Sequence, residues 1–125
     1  MVLLNKIYTR TGDGGDTGLG DGTRVPKYSI RVNSYGSVDE TNATVGMARL
    51  YCYGTFDKKL AAIQNDLFDL GADMCRPNID KDASAKYPPL RMVQSQVDRL
   101  EAEICLLYTS PSPRDGLLSS MASSA

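Results

Sequence analysis

The residues best suited to chemistry lie in one segment near the amino terminus, residues 8–27, which reads YTRTGDGGDTGLGDGTRVPK. Glycine permits positive φ angles and lets a ligand approach the backbone closely, and successive N–H groups in such turns form anion-binding nests. Arg10, Arg24 and Lys27, with Arg31 just beyond them, supply positive charge. This combination predicts a site for a polyphosphate, which needs many hydrogen-bond donors and several cations.

Two other interpretations of this segment stay open from the residues alone. One is an ordinary glycine-rich hairpin with solvated charges, since short glycine motifs often occur by chance. The other is a calcium loop formed by Asp13, Asp16 and Asp21, because hard cations bind clustered carboxylates. The spacing of these residues does not fit the EF-hand pattern, and four nearby cations oppose a calcium ion.

Composition excludes several classes of function. The chain has 125 residues and a formal net charge of −1, which suits a single domain without a basic surface for nucleic acid or an anionic membrane. No apolar run is long enough to span a bilayer, so we expect a cytoplasmic protein. The chain has no histidine and three cysteines without CxxC spacing. These counts argue against a structural zinc site and exclude a nucleophile that is activated by histidine.

Apolar residues recur every three or four positions beyond residue 36, which predicts three amphipathic helices in an antiparallel bundle. Ser37 and Glu40 form a capping-box pattern, so the first helix is expected to begin at Ser37 and to end near Gly54. We expect the three stripes to form the core. They are Val38, Thr41, Val45, Ala48 and Cys52; then Phe56, Leu60, Ile63, Leu67, Leu70 and Met74; then Leu90, Val93, Val97, Leu100 and Ile104.

The predicted fold is therefore all-α, with a glycine-rich loop region at residues 1–36 and helices at residues 37–104. Residues 6–10 are expected to form a strand-like lead-in to the loop. Residues 105–125 read CLLYTSPSPRDGLLSSMASSA and change composition without a capping signal. This segment resembles the conceptual translation of a sequencing adapter. We expect a reading frame truncated near residue 104 and an artefactual tail, the alternative being a natural disordered tail.

The segment KIYTRTGDGGDTGLGDGTRVPK, followed by RVNSYGSVDETNATVG, carries a family resemblance. It resembles the N-terminal half of the PduO-type ATP:cob(I)alamin adenosyltransferases, and the similarity runs over residues 6–104. The resemblance implies a five-helix-bundle subunit, a homotrimer, and ATP held with Mg²⁺ at subunit interfaces. It also implies transfer of the 5′-deoxyadenosyl group of ATP to the cobalt of cob(I)alamin, the substrate, with release of triphosphate.

The resemblance assigns roles to residues of this chain. Its phosphate-binding positions are Thr9, Arg10, Thr11, Gly12, Thr17, Gly18 and Lys27, and we add Asp13, Gly15 and Arg24 of the same loop to the predicted ATP site. Asp39 matches an acidic residue that pairs with an arginine of a neighbouring subunit, and Glu40 and Asn42 accompany it. From the residues alone, Asp39 could equally be an acid that favours a helix N-terminus. Many relatives have lysine where Gly14 stands.

The implied reaction needs no protein nucleophile, because the reduced metal of the substrate attacks the ribose carbon. No catalytic residue or metal ligand is therefore predicted. The RRAER stretch, the later asparagine and the aromatic residue over the corrinoid that the family carries have no match in this sequence. We expect the chain to keep a partial ATP loop without turnover. The alternative is a non-catalytic helical interaction module with a phosphate- or nucleotide-binding loop.

Overall fold

The computed structural model describes residues 5–109, which are mainly helical. In chain order the elements are β1 (Asp16–Gly18), β2 (Arg24–Pro26), α1 (Ile30–Arg49), α2 (Gly54–Cys75), a 3₁₀ helix (Ile79–Ser84) and α3 (Gln94–Thr109). The predicted helical class is confirmed, with the addition of one small two-stranded sheet. The expected strand-like lead-in is not found, because residues 6–10 adopt neither helix nor strand.

Residues 16–26, within the predicted loop region, form a β-hairpin. Strands β1 and β2 pair antiparallel, with Thr17 opposite Val25. The hairpin closes where Leu19 N–H donates to the carbonyl of Thr23 at 2.8 Å. Gly22 has a φ angle of +85°, a conformation that glycine adopts without steric penalty. The glycines of this segment therefore serve a tight turn as well as an open backbone.

Helix α1 begins seven residues earlier than predicted, so the expected boundary at residues 36 and 37 is wrong. Ser29 is the N-cap, and its hydroxyl accepts a hydrogen bond from Val32 N–H at 3.4 Å. Ser37 lies inside the helix, and its hydroxyl donates to the carbonyl of Asn33 at 3.0 Å. Pro26 disfavours helix only for the residue before it, so it does not prevent a helix from starting at Ile30.

Helices α1 and α2 form an antiparallel pair, as predicted. Near the connecting loop, Arg49 makes an ion pair with Asp57 at 2.7 Å. Midway along α1, Asn42 and Gln64 exchange hydrogen bonds, Asn42 Nδ2 donating to the Gln64 carbonyl and Gln64 Nε2 to the Asn42 carbonyl. Near the start of α1, Arg31 donates to the carbonyl of Met74 at 2.7 Å.

The other helix ends also differ from the predictions. Gly54 has a φ angle of +62° and is the first residue of α2 rather than the end of α1. Helix α3 begins at Gln94, after the predicted entry, and continues through Cys105 to Thr109. Within residues 5–109, the chain up to Met92 belongs to one compact unit and the chain from Val93 belongs to a second. The rest of the predicted tail lies outside the described residues.

The stripes do not form an enclosed core, so that prediction is wrong for the described chain. Leu19, in the hairpin, is the one buried hydrophobic residue among residues 5–108. The stripe residues of α2 are half-buried from Leu60 to Met74, whereas Phe68, off the stripe, is 70% exposed. A pair of helices shields only the faces that they turn to each other. No helix within the described residues is both long enough and apolar enough to cross a membrane.

The corrected start of α1 can be tested with two serine variants. Ser29→Ala removes the N-cap acceptor and should lower the free energy of unfolding by about 0.5–1 kcal/mol. Ser37→Ala is the matched control, because alanine has the higher helix propensity inside a helix and should cause no loss. Urea unfolding followed by circular dichroism measures both. Equal destabilisation by the two changes would contradict the assignment of Ser29 as the cap.

Candidate functional site

The predicted phosphate segment begins with a compact turn over residues 10–15. Asp13 N–H donates to the carbonyl of Arg10, and Gly15 N–H donates to the carbonyl of Gly12, both at 3.2 Å. Gly15 has a φ angle of +93° and Arg10 one of +59°. A non-glycine residue in this region is uncommon and is found most often where the chain turns tightly. The turn ends at Gly15, and β1 begins at the next residue, Asp16.

Several amides of this segment remain free to bind a ligand. Within residues 5–109, the N–H groups of Thr11, Gly12 and Gly14 have no hydrogen-bond acceptor. Alternate residues of an antiparallel strand donate in opposite directions. Since Gly15 and Leu19 are bonded to the β2 side, the N–H groups of Asp16 and Gly18 point away from it. A Cβ placed on Gly14 or Gly18 would meet no atom within 4 Å, so this surface is open.

Lys27 brings positive charge to the turn. Its N–H donates to the Gly15 carbonyl at 2.9 Å, which fixes its backbone beside the turn. Its Nζ atom lies 3.1 Å from the position that a Cβ on Gly12 would occupy. The ammonium group therefore lies next to Gly12, a residue of the turn that has an unpaired amide and no side chain. Two predicted site residues, Gly12 and Lys27, are in this way brought together.

The other predicted donors flank a neighbouring concavity. The hydroxyls of Thr9 and Thr11 are hydrogen-bonded to each other at 3.0 Å. The guanidinium of Arg10 lies 5.3 Å from the centre of the Tyr8 ring, within the range of a cation–π contact. Residues 6–10 line an open cavity of about 470 Å³. Thr17 is half-buried in β1.

Arg24 differs from the other cations because its side chain is occupied by the backbone of the turn. Its Nη2 atom donates to the carbonyl of Thr11 at 2.6 Å and to the carbonyl of Asp16 at 3.1 Å. Both acceptors are main-chain atoms of the glycine-rich segment, and Thr11 is also one of the predicted site residues. The two cations thus differ in position. Arg24 binds the carbonyls of the turn, whereas Lys27 lies beside the unpaired Gly12 amide.

The three carboxylates of the segment do not form a metal site. Asp21 accepts a hydrogen bond from Thr23 N–H at 2.9 Å, and this bond, together with a weaker one from Asn78, lowers the pKa of its carboxyl group. Asp13 and Asp16 are exposed. In the part of the chain that the structure describes, no group of three or more acidic, cysteine or histidine side chains is placed to hold a metal ion. The calcium-loop alternative therefore gains no support.

The tip of the hairpin is attached to the end of α2, an attachment that the sequence did not predict. Gly20 N–H donates to the carbonyl of Cys75 at 2.8 Å. Arg76 Nη1 donates to the Gly20 carbonyl at 3.5 Å, and Asn78 Nδ2 approaches Asp21 Oδ2 at 3.4 Å. A Cβ on Gly20 would lie 3.3 Å from the Cβ of Arg76, so glycine permits this close approach. More than fifty residues separate the partners, and no local pattern signals the contact.

An ion-pair network fixes the chain that follows α2. Asp82 binds Arg76 at 3.1 Å and Arg91 at 2.7 Å, and Arg91 also binds Asp73 at 2.7 Å. Arg91, with Arg76 as a lesser contributor, lowers the pKa of Asp82. Met92 N–H, followed by Arg91, lowers the pKa of Asp73. The network holds Arg76, and through Arg76 it holds the hairpin tip.

The predicted interface residues lie apart from the turn, on α1. Asp39 and Asn42 line a groove of about 310 Å³ between α1 and α2, with Tyr35, Gly36, Leu67, Phe68, Gly71 and Ala72. The Oδ1 atom of Asn42 is buried and has no partner among the described residues. Glu40 is exposed. The groove is lined mainly by apolar residues and has two side-chain acceptors, the carboxylate of Asp39 and Oδ1 of Asn42. These acceptors suit a partner that carries a hydrogen-bond donor.

Fold and site together define a protein in which a glycine-rich turn and its β-hairpin are attached to a pair of antiparallel helices. Comparison with known proteins makes this specific, because the sequence profile of the cobalamin adenosyltransferase family matches residues 7–121. The chain therefore belongs to the cobalamin adenosyltransferase family. The match extends past residue 104, where the sequence was expected to become foreign.

Individual relatives agree with the profile. A corrinoid adenosyltransferase of Mycobacterium leprae is 47% identical over 116 residues, which cover 90% of this chain and 59% of the relative. One from Bacillus subtilis is 37% identical over 103 residues, covering 78% of this chain and 53% of the relative. The chain thus spans little more than half the length of these relatives.

Solved structures show the same relationship. A variant of a PduO-type ATP:corrinoid adenosyltransferase from Lactobacillus reuteri, complexed with cobalamin and ATP, matches with a TM-score of 0.70 and 32% identity. The match covers 86% of this chain and 57% of that one. A second variant of the same enzyme, complexed with ATP, matches with a TM-score of 0.68 and 32% identity, over 86% of this chain and 58% of that one.

The ion-pair network predicts how stability depends on pH. The pKa of Asp82 in the folded chain lies below its unfolded value near 3.8, so its contribution is complete above that pH and is lost as the pH falls through the folded pKa. Urea midpoints should therefore fall from about pH 4 downward. Asp82→Asn should lower the midpoint at pH 7 and flatten the acid limb. Asp80→Asn, at an exposed aspartate of the same 3₁₀ helix, is the control; equal acid limbs for wild type and Asp82→Asn would contradict the prediction.

Proposed function

We propose that residues 9–27 bind the triphosphate of ATP, and that the protein transfers the 5′-deoxyadenosyl group of this ATP to a reduced corrinoid. The observation that carries the proposal is the unpaired Gly12 amide beside the Lys27 ammonium, in a turn whose surface is open. Membership in the cobalamin adenosyltransferase family supports the choice of ligand and reaction. The relatives' names support it further, since they are corrinoid adenosyltransferases.

Charge balance explains why the backbone carries much of this binding. Residues 9–27 contain three cations, Arg10, Arg24 and Lys27, and three carboxylates, Asp13, Asp16 and Asp21, so their formal charges cancel. A segment without net charge must bind a polyanion through local donors rather than through a broad positive field. Oriented N–H groups are such donors, because each presents a fixed partial positive charge. Mg²⁺ would arrive with the nucleotide, because it typically keeps several waters and binds substrate phosphates.

The proposed reaction forms a bond between the cobalt of the substrate and C5′ of ATP, and it breaks the bond between C5′ and the triphosphate oxygen. The protein therefore has two tasks, to position the triphosphate and to stabilise the charge on it as it leaves. Lys27 and Arg10 would neutralise the leaving group. The hydroxyls of Thr9 and Thr11 and the open amides would donate to phosphate oxygens.

The full proposed lining keeps the residues of the sequence prediction, apart from Arg24, which is treated below. Gly12, Gly15 and Gly18 would allow close approach of phosphate, and Thr17 would donate its hydroxyl from β1. Asp13 would bind the hydrated Mg²⁺ of the nucleotide. The lysine that many relatives are expected to have at position 14 would be replaced functionally by Lys27.

We also propose that the protein acts in the cytoplasm as a homotrimer, with Asp39, Glu40 and Asn42 at the subunit interface. The groove between α1 and α2 supports this, because it combines apolar walls with the exposed carboxylate of Asp39 and the unpaired acceptor of Asn42. An arginine from a neighbouring subunit would satisfy both acceptors.

The nucleotide site can be tested with one lysine pair. Lys27→Ala should weaken ATP binding about tenfold or more, because a hydrogen bond to a charged group contributes roughly 1.5–3 kcal/mol. Lys58→Ala is the matched control, since Lys58 is exposed on α2 and should leave affinity unchanged. Isothermal titration with Mg-ATP measures both. No detectable ATP binding by the unaltered chain, or equal losses in the two variants, would contradict the proposed site.

A turnover assay addresses the reaction separately. The chain is mixed with ATP and chemically reduced cobalamin, and adenosylcobalamin is followed by absorbance against a protein-free control. Formation of product that depends on Lys27 would support transfer by this chain. It would also contradict the sequence-based expectation that the chain binds ATP without turnover, while leaving the nucleotide site intact.

The proposed trimer has its own test. Asp39→Ala should shift the sedimentation-velocity distribution from trimer toward monomer, because the partner's donor would lose its charged acceptor. Asp80→Ala, which alters an exposed aspartate outside the groove, should not shift it. A monomeric unaltered chain at all concentrations, or no difference between the variants, would argue against the interface.

A further inference from the structure

The geometry points to Arg24 as a positioning residue, one that orients the phosphate-binding turn without contacting phosphate. This inference rests on the nucleotide site proposed above. The sequence placed Arg24 among the ATP contacts, on the basis of its charge. Its Nη2 atom instead donates to two main-chain carbonyls of the turn, Thr11 O at 2.6 Å and Asp16 O at 3.1 Å.

The first of these bonds determines where the Gly12 amide points. A planar trans peptide holds the carbonyl of one residue and the N–H of the next on opposite sides. Because the Thr11 carbonyl points at Arg24, the Gly12 N–H points away from Arg24. That N–H has no acceptor within residues 5–109. Arg24 therefore keeps the free Gly12 N–H directed away from the guanidinium group.

The second bond closes the turn at its base. Asp16 is the first residue of β1, and Arg24 is the first residue of the strand that pairs with it. One nitrogen thus joins the start of the turn at Thr11 to its end at Asp16, across three glycines at positions 12, 14 and 15. Glycine has the largest backbone freedom of any residue, so this segment gains most from a fixed anchor. Without the anchor, the Thr11–Gly12 peptide could rotate and present its carbonyl to the phosphate.

Lys27 provides the contrast that makes the role of Arg24 testable. Its ammonium lies 3.1 Å from the Cβ position of Gly12 and makes no hydrogen bond to a carbonyl of the described chain. Lys27 would therefore meet phosphate directly. Arg24 should influence the turn in the absence of ligand, whereas Lys27 should influence mainly the ligand.

The first experiment uses the ligand-free protein. Carbon and nitrogen chemical shifts are recorded for the Thr11 and Asp16 carbonyls and the Gly12 amide, in wild type, Arg24→Ala and Lys27→Ala. We expect all three signals to move in Arg24→Ala and to stay close to their wild-type values in Lys27→Ala. Unmoved signals in Arg24→Ala would overturn the inference.

The second experiment uses inorganic tripolyphosphate as the probe. Arg24→Ala should weaken its binding roughly tenfold, the loss expected when a donor to the turn is removed. The nitrogen signals of the Arg24 guanidinium should remain unchanged as tripolyphosphate is added to wild type. Guanidinium signals that shift on binding would identify Arg24 as a phosphate contact and overturn the positioning role.

A conservative variant covers the case in which Arg24→Ala fails to fold. Arg24→Lys keeps the charge but shortens the side chain and removes the planar guanidinium. We expect displaced Thr11 and Asp16 signals together with weakened binding. Wild-type affinity despite displaced signals would show that charge alone matters, against the inference. Absence of tripolyphosphate and ATP binding by wild type would refute the nucleotide site, while the ligand-free shifts would still decide whether Arg24 orients the turn.

Discussion

The rest of the structure depends on the hydrogen bond between Gly20 N–H and the Cys75 carbonyl, which is 2.8 Å long. This bond connects the β-hairpin to the pair of helices α1 and α2. It attaches the hairpin to the last residue of α2. Glycine at position 20 favours this close approach, because a Cβ there would lie 3.3 Å from the Cβ of Arg76 and 3.4 Å from the Cys75 carbonyl. The turn that we propose to bind phosphate therefore takes its position from the helical pair, and a change in the end of α2 would move it.

The sequence predicted the existence of the elements better than their ends. Ser29 and Ser37 both satisfy the local rule for an N-cap, and Ser37 also has the supporting glutamate three residues on. The structure uses Ser29 because residues 30–36 pack as a first stretch of α1 beside the end of α2, where Arg31 binds the Met74 carbonyl. That contact joins residues 43 positions apart, so no local pattern contains it.

In the candidate site, the sequence likewise predicted the segment better than the role of each residue. The order of glycines, threonines and cations predicted the segment, and the structure brings Gly12 and Lys27 together as that order suggested. Charge type alone could not separate Arg24 from Lys27, because both are cations in the same loop. Only the register of β1 and β2, which directs Arg24 toward the Thr11 and Asp16 carbonyls, distinguishes them.

The contacts between α1 and α2 leave most apolar side chains of the pair at least partly exposed. Leu19 is the one buried hydrophobic residue among residues 5–108, while Phe68 is 70% and Met47 68% exposed. Exposed apolar side chains that are grouped on one surface usually mark contact with another surface. Polar contacts such as Arg49 to Asp57 and Asn42 to Gln64 fix how the two helices are aligned, but they bury little apolar surface. The proposed assembly of subunits would bury Phe68, which lines the same groove as the unpaired acceptor of Asn42.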